Sequence, residues 1–444
     1  MYVYFCFYYV LNLQIIYRKG TVFFTVEGRH MNYTDVYEKY ESNVRSYCRI
    51  FDKELTQAKC AKIWDSDGNE YIDFFCGAGA LNYGHNNDYI KERVIDYLMQ
   101  DGIIHSLDMY TAPKTDFLDY FENNILAPRG LEYKIQFPGP TGTNAIEASL
   151  KLARKVKKRS NIWCLMGCFH GMTLGSLALT TEKGARLGAG VSLQNVTHIP
   201  APYSFKDLDT ISYMQTLLDD DHSGIDYPAA LIIETVQAEG GIMVFDTEYL
   251  KAVREFCTKN DILLIVDDIQ VGCGRTGHFF SFERAGIVPD MVVLSKSIGG
   301  YGFPFALTLI KPELDIWNPG EHNGTFRGNQ LAMVASKASL EFYNLNNMDY
   351  ETTKKGAIIT KFLKKEVLPL VPHGEVRGIG LIWGLDVHDG ALAKRISKEA
   401  FKAGLIVERA GREDSVVKLM PPLVIPNDDL ICGLNILKDV ISKV

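Results

Sequence analysis

The stretch from Ile262 to Lys296 constrains the fold more than any other part of the chain. It begins Ile262-Leu263-Leu264-Ile265-Val266, five apolar residues with no polar alternation, as a strand covered on both faces reads. The run stops on Asp267-Asp268-Ile269-Gln270, and a loop follows, Gly272-Cys273-Gly274-Arg275-Thr276-Gly277. A second apolar run, Met291-Val292-Val293-Leu294, ends on Ser295-Lys296. Two strand ends therefore present a carboxylate and an amine at the edge where an open α/β sheet places its ligand.

A lysine and a carboxylate so placed suit pyridoxal phosphate. The aldehyde needs a lysine for a Schiff base, and the ring nitrogen needs an anion to stay protonated. This assigns Lys296 to the aldehyde and Asp267 to the ring nitrogen. Taken alone, the pair reads more readily as a surface lysine and an Asp capping a strand, so the rest of the chain has to overturn that.

Ile135-Gln136-Phe137 is a short strand leading into Pro138-Gly139-Pro140-Thr141-Gly142-Thr143-Asn144 and a helix with Ile146, Leu150, Ala153 and Val156 on one side. A glycine-rich turn opening a helix is an anion site. Gly142 and Thr143 are candidates for a phosphate, and a plain N-cap by Thr143 or Asn144 is the alternative. Ile162 to Met166 reads as another buried strand and exits into Cys168-Phe169-His170-Gly171, where Phe169 either stacks on a flat ligand or belongs to the core. Ala229 to Glu234 is a further strand, and Gln237-Ala238-Glu239-Gly240-Gly241 follows it. Glu248 to Asn260 is amphipathic. Strand and helix patterns alternate from about 135 to 310, which predicts an α/β fold with a mostly parallel sheet of seven strands.

Upstream, Asn32 to Asp52 reads as a helix with Val36, Tyr40 and Val44 on one face. Ile63 to Phe74 reads as a hairpin turning on Asp67-Gly68-Asn69. Cys76-Gly77-Ala78-Gly79-Ala80 is either a turn or a close backbone approach to a ligand. Downstream, the polar loop Gly320 to Asn329 precedes a helix from Gln330 to Tyr343. Beyond Asn344, helices over Thr352–Glu366 and Gly390–Ala403 frame strands near Ile379–Val387 and Val416–Leu419, a smaller α+β domain. The expected division is 1–30 as an extension, 31–90 as an N-terminal segment packing with the small domain, 91–343 as the large cofactor-binding domain and 344–444 as the small one.

The formal charge of −7 offers no basic field for nucleic acid. Nine scattered cysteines, odd in number and without CxxC spacing, read as reduced thiols of a cytoplasmic protein with no metal site; Cys164 and Cys168 are the only close pair. Met1 to Tyr17 is almost wholly apolar and aromatic. It is short for a membrane span and lacks the marks of a signal peptide. A start at Met31 is the favoured reading, because codons for Glu27-Gly28 can spell a ribosome-binding site.

Together these segments resemble the class III pyridoxal-phosphate aminotransferases, from about residue 31 onward. Gly142-Thr143 resembles the phosphate turn of that family, Phe169-His170-Gly171 its ring-stacking segment, Asp267 to Gln270 with Gly274 to Gly277 its pyridinium segment, Ser295-Lys296 its lysine, and Gly324-Thr325 the loop that reaches a neighbouring subunit's phosphate. The resemblance implies fold type I, a homodimer or higher oligomer with shared sites, and small amino and keto acids as partners, with no nucleic acid or membrane. It further implies that Gln270 meets the phenolic oxygen of the ring, that Ile269 packs on one ring face, that Glu234 supports the network, and that Glu239 gates the substrate pocket. FPGPTGTNAIEA, GCFHGMTLGSLALT and DFFCGAGALNYGHNN are similar to the diaminobutyrate–2-oxoglutarate branch of the class, which serves ectoine biosynthesis. Ornithine, acetylornithine or 4-aminobutyrate transamination and an aminomutase share the same residues and stay open, as does a binding module without catalysis. Two departures stand out. The second carboxylate is Asp268 and not Glu, and Lys418 takes the place of an Arg before Pro421-Pro422-Leu423. Lys418, Arg377, Arg409 and Arg412 are the candidate cations for a substrate carboxylate.

Overall fold

The alternation-free strands lie in a seven-stranded sheet, ordered Lys134–Gln136, Leu307–Ile310, Met291–Leu294, Leu263–Asp267, Ala230–Ile233, Ile162–Leu165 and Val196–Ile199. All pair in parallel except Leu307–Ile310, which runs against both neighbours. The computed structural model describes Asn12–Arg18, Thr21–Glu27 and residues 32–444.

Successive residues of a strand point to opposite faces, and here each face finds its own core. Leu264, Val266, Val292, Leu294, Leu231, Ile233, Trp163 and Leu165 join one cluster with Leu250, Val253 and Phe256 of the helix Thr247–Lys259. Leu263, Ile265, Met291, Val293, Ile232 and Cys164 join the other with Ala145, Ile146, Leu150 and Ala153 of the helix Gly142–Lys157. Both faces being covered is why these strands carry no polar alternation.

The hairpin falls where expected: Lys62–Asp65 pairs antiparallel with Glu70–Asp73. Asp65 ties its turn together, accepting from the N–H groups of Asp67 and Asn69 at 3.0 and 2.8 Å. On its other side Glu70–Asp73 pairs in parallel with Leu405–Ile406. A second, antiparallel sheet runs Glu375–Ile379, Ile382–Asp386, Val416–Leu419, Glu408–Ala410. Residues Thr56–Val444 form one unit, and Met1–Leu55 another.

The helix expected over Asn32–Asp52 is shorter. It spans Tyr33–Tyr40, capped by Asn32, and a separate 3₁₀ turn covers Tyr47–Arg49. Val36, Tyr40 and Val44 are exposed, so the apolar periodicity there marks no core-facing stripe. The backbone of Asn12–Arg18 and Thr21–Glu27 forms an antiparallel pair. The expected start at Met31 lies outside the described residues. Among the described residues no helix is long and apolar enough to cross a membrane.

Arg275 locks the loop after the central strand to the second sheet. It is fully buried, and Nη1 donates to the carbonyl oxygens of Leu381 (2.9 Å) and Pro421. Nη2 donates to Asn82 Oδ1 and to Cys76 Sγ. Arg275→Leu should therefore destabilise the fold by about 3 kcal/mol or more, since each buried acceptor left unsatisfied costs about 1–3 kcal/mol. Urea unfolding checks this; a loss under about 1 kcal/mol would contradict it.

Candidate active site

The parallel strands end on one edge of the sheet, and the candidate residues collect there. Asp267 follows Leu263 and Ile265 onto the face covered by the helix Gly142–Lys157. The carboxylate is buried, and Oδ1 accepts from the Ile269 N–H at 3.1 Å while Oδ2 lies 2.7 Å from His170 Nδ1. Burial opposes a charge on His170. Cys168 and Asp267 beside it outweigh that effect and hold the imidazole well above the ordinary histidine range. His170 thus donates its Nδ1 proton to Asp267.

Glu234 ends the next strand over. Its Oε1 accepts from the Phe169 N–H at 3.0 Å and its Oε2 from the Ala238 N–H at 3.2 Å, so it fixes the segment carrying Phe169 and His170. Burial, with Asp267 nearby, pushes its carboxyl up to about 7. Asp268 points elsewhere. Its Oδ2 accepts from the Ser281 N–H at 3.0 Å, its Oδ1 is buried without a partner, and burial pushes the carboxyl up to about 7.

Lys296 opens a 3₁₀ turn just past the strand Met291–Leu294, which runs beside Leu263–Asp267 with Val293 opposite Asp267. Its φ of +53° is left-handed, a conformation costing a non-glycine residue about 1–3 kcal/mol and concentrated at functional sites. Burial depresses its pKa, opposed by Glu239, Glu408 and Asp267 and helped by Lys418. Ser295 and Ser297 on either side hold the turn, donating to the carbonyls of Phe305 and Gly79 at 2.8 and 2.6 Å.

The Cys76–Gly79 stretch is more than a turn. Its four residues have φ between +55° and +85°, which directs two carbonyls at the site. Ala78 O accepts from Gln270 Nε2 at 3.0 Å, and Gly79 O accepts from Ser297. Gln270 Oε1 is buried and unpartnered.

The N-cap of the helix Gly142–Lys157 is Thr141, not Thr143 or Asn144, and no side chain caps it. Its first turn packs on Ile269 so closely that a Cβ on Gly142 would stand 2.9 Å from the Ile269 methyl, and the Ile269 side chain would have to shift to admit one. Thr143 Oγ1 bonds to the hydroxyls of Thr173 (2.6 Å) and Ser176 (2.8 Å). Thr325 is exposed, and its carbonyl lies 2.9 Å from His105 Nε2.

Of the candidate cations, Arg377 is committed to the Gly241 carbonyl, Glu375 and Asp386 at 2.6–2.8 Å, which takes all three of its nitrogens. Arg409 pairs with Asp414 at 3.0 Å, and Arg412 stacks over the Tyr203 ring. Lys418 is different. It is buried with Nζ 2.7 Å from Glu239 Oε1 and 2.7 Å from Glu408 Oε2. These two carboxylates outweigh the cost of burial and raise its pKa. Glu408 carries no motif. Only pairing the strands Glu408–Ala410 and Val416–Leu419 in register would have placed it opposite Lys418.

Asp267 and Lys296 thus stand at the ends of neighbouring parallel strands, one supplying a buried carboxylate and the other an amine. The sequence pattern of the family described as aminotransferase class III matches residues 45–441, and the chain belongs to that family. Among its relatives, the diaminobutyrate–2-oxoglutarate transaminase of Halalkalibacterium halodurans is 51% identical over 93% of this chain and 97% of its own length. That of Streptomyces coelicolor is 52% identical over 90% and 96%. The fold matches the ornithine aminotransferase structure from Toxoplasma gondii with a TM-score of 0.81, covering 93% of this chain and 94% of that one at 23% identity. A Bacillus anthracis aminotransferase gives 0.83, covering 93% and 98% at 22% identity.

Proposed function

We propose that this aminotransferase exchanges an amino group between L-2,4-diaminobutyrate with 2-oxoglutarate and L-aspartate 4-semialdehyde with L-glutamate, a step that serves ectoine formation. The reading is carried by relatives of that name at about half identity across nearly the whole chain. The lysine held between two carboxylates in place of an arginine fits a pocket that must admit both a diamine and a dicarboxylate.

The residues present fit pyridoxal phosphate. The helix at Gly142 has no side-chain cap, Gln270 Oε1 is buried without a partner, and Gly142 leaves a cradle against Ile269. When bound, the cofactor supplies an aldehyde to take up the amino group and a ring to accept the electron pair of the broken carbon–hydrogen bond. Lys296 would hold the aldehyde end. Its depressed pKa leaves a neutral amine more available, so that Nζ would carry the proton from the substrate carbon. Asp267, oriented by His170, would face the ring nitrogen, with Gln270 at the phenolic oxygen and Phe169 and Ile269 flanking the ring. Gly142 and Thr143 would bind the phosphate, joined by Thr325 from a second copy of the chain across a homodimer interface.

Lys418 would meet a substrate carboxylate once Glu239 withdraws, which gives Glu239 the role of a gate. Glu239→Ala should lower kcat/KM for diaminobutyrate about tenfold while changing that for glutamate little, since only the diamine needs the carboxylate in place. An equal effect on both would remove the gate. The function itself is tested by diaminobutyrate-dependent formation of glutamate from 2-oxoglutarate by the purified protein. Faster turnover of ornithine, acetylornithine or 4-aminobutyrate would contradict it.

A further inference from the structure

The two carboxylates that hold Lys418 are mounted differently. Glu408 stands in the strand Glu408–Ala410 directly across the ladder from Lys418, and its side chain is 9% exposed. Glu239 stands on the loop after Val236–Gln237, and its side chain is 31% exposed. One carboxylate is built into the sheet, and the other hangs at the mouth of the pocket. The second has open space to swing into, and the first, nearly enclosed, does not.

A buried ammonium whose only counter-charge swung away would be left unpaired, an arrangement that is strongly unfavourable. Glu408 prevents that. It also fixes the charge the pocket presents. With Glu239 in place the three groups sum to −1, and with Glu239 withdrawn they sum to zero. The first state favours a substrate bearing a second ammonium, and the second admits a dicarboxylate without trapping it.

We infer that Glu408 is a positioning residue that sets specificity: it anchors Lys418 while Glu239 moves and limits how strongly the pocket draws a second carboxylate. The inference rests on the reading that Lys418 meets the substrate carboxylate. Without the charge at 408 the two states become neutral and +1. The pocket should then hold dicarboxylates too tightly and the diamine too weakly.

The test uses the cofactor-loaded enzyme and its Glu408→Gln variant. Calorimetric titration with glutarate, which has no amine to react, reads the anion affinity alone. The half-reactions with glutamate and with diaminobutyrate are followed separately by the change in cofactor colour. In Glu408→Gln, the glutarate Kd and the glutamate half-saturation should fall about tenfold and the diaminobutyrate half-saturation should rise about tenfold, the scale of one lost charge at a partly screened site. Glu408→Asp, which keeps the charge, should retain the wild-type ratio of the two half-saturations. Should the glutamine variant not fold, Glu408→Ala, which leaves room for water, is read the same way. Unchanged or weaker glutarate binding, a common factor on both half-reactions, or an aspartate variant that behaves like the neutral ones would overturn the inference. A wild-type enzyme inert toward diaminobutyrate would instead overturn the substrate reading, and the glutarate titration would still decide the role of Glu408.

Discussion

Lys296→Ala should lower transamination about 10⁴-fold, the upper range for removal of a positioned acid–base group, and abolish the yellow colour that amines bleach in the loaded enzyme. The size of the effect follows from two roles falling on one nitrogen, holding the aldehyde end and moving the proton. The other candidates are committed elsewhere: Lys418 is pinned between Glu239 and Glu408, and His170 is turned toward Asp267. Thermal stability should hold, because the turn at Lys296 is fastened by Ser295 and Ser297, which the substitution leaves in place. A parallel loss of stability and colour would point to misfolding instead, and retained turnover would remove Lys296 from the mechanism.

Asp267→Asn should lower kcat about 10³-fold, or about 4 kcal/mol in the barrier, with cofactor binding largely kept. The carboxylate already accepts from Ile269 N–H and His170 Nδ1. An amide keeps the shape but loses the charge, and its single oxygen cannot serve both donors. The ring nitrogen would then lack an anion to hold its proton, whereas Lys296 and the turn at Gly142 and Thr143 would still grip the other ends. Cofactor stoichiometry near that of wild type with kcat collapsed is the expected pattern. Loss of cofactor with unaltered kcat per loaded site would assign Asp267 to binding alone.

How much of this was legible in the sequence varied with the range of the interaction. Leu263–Asp267, Met291–Leu294, Ile162–Leu165 and Ala230–Ile233 are buried on both faces, so they read as unbroken apolar runs. The strands Glu375–Ile379 and Glu408–Ala410 were not anticipated, because short edge strands with partly exposed or charged residues carry neither pattern. Asn32–Asp52 misled in the opposite direction. Val36, Tyr40 and Val44 have helical spacing, yet the helix ends at Tyr40 and the residues face solvent. The strand-end positions of Asp267, Lys296 and Glu234 were accessible to local reading because each lies at or just past the end of its strand. The hydrogen bonds of Ala78 and Gly79 and the reach of Arg275 to Leu381 and Pro421 join segments more than a hundred residues apart. No local pattern encodes them. The pairing of Lys418 with Glu408 depends on strand register, and the full commitment of Arg377 depends on the acceptors the fold brings to its three nitrogens.

The central claim is that the nitrogen of Lys296 holds the cofactor. Borohydride reduction of the loaded enzyme, followed by proteolysis and mass spectrometry, tests it directly. The account predicts a single phosphopyridoxyl group, located on the peptide that contains Ser295-Lys296-Ser297. Finding the group on Lys418 or another lysine, with Lys296 unmodified, would contradict it.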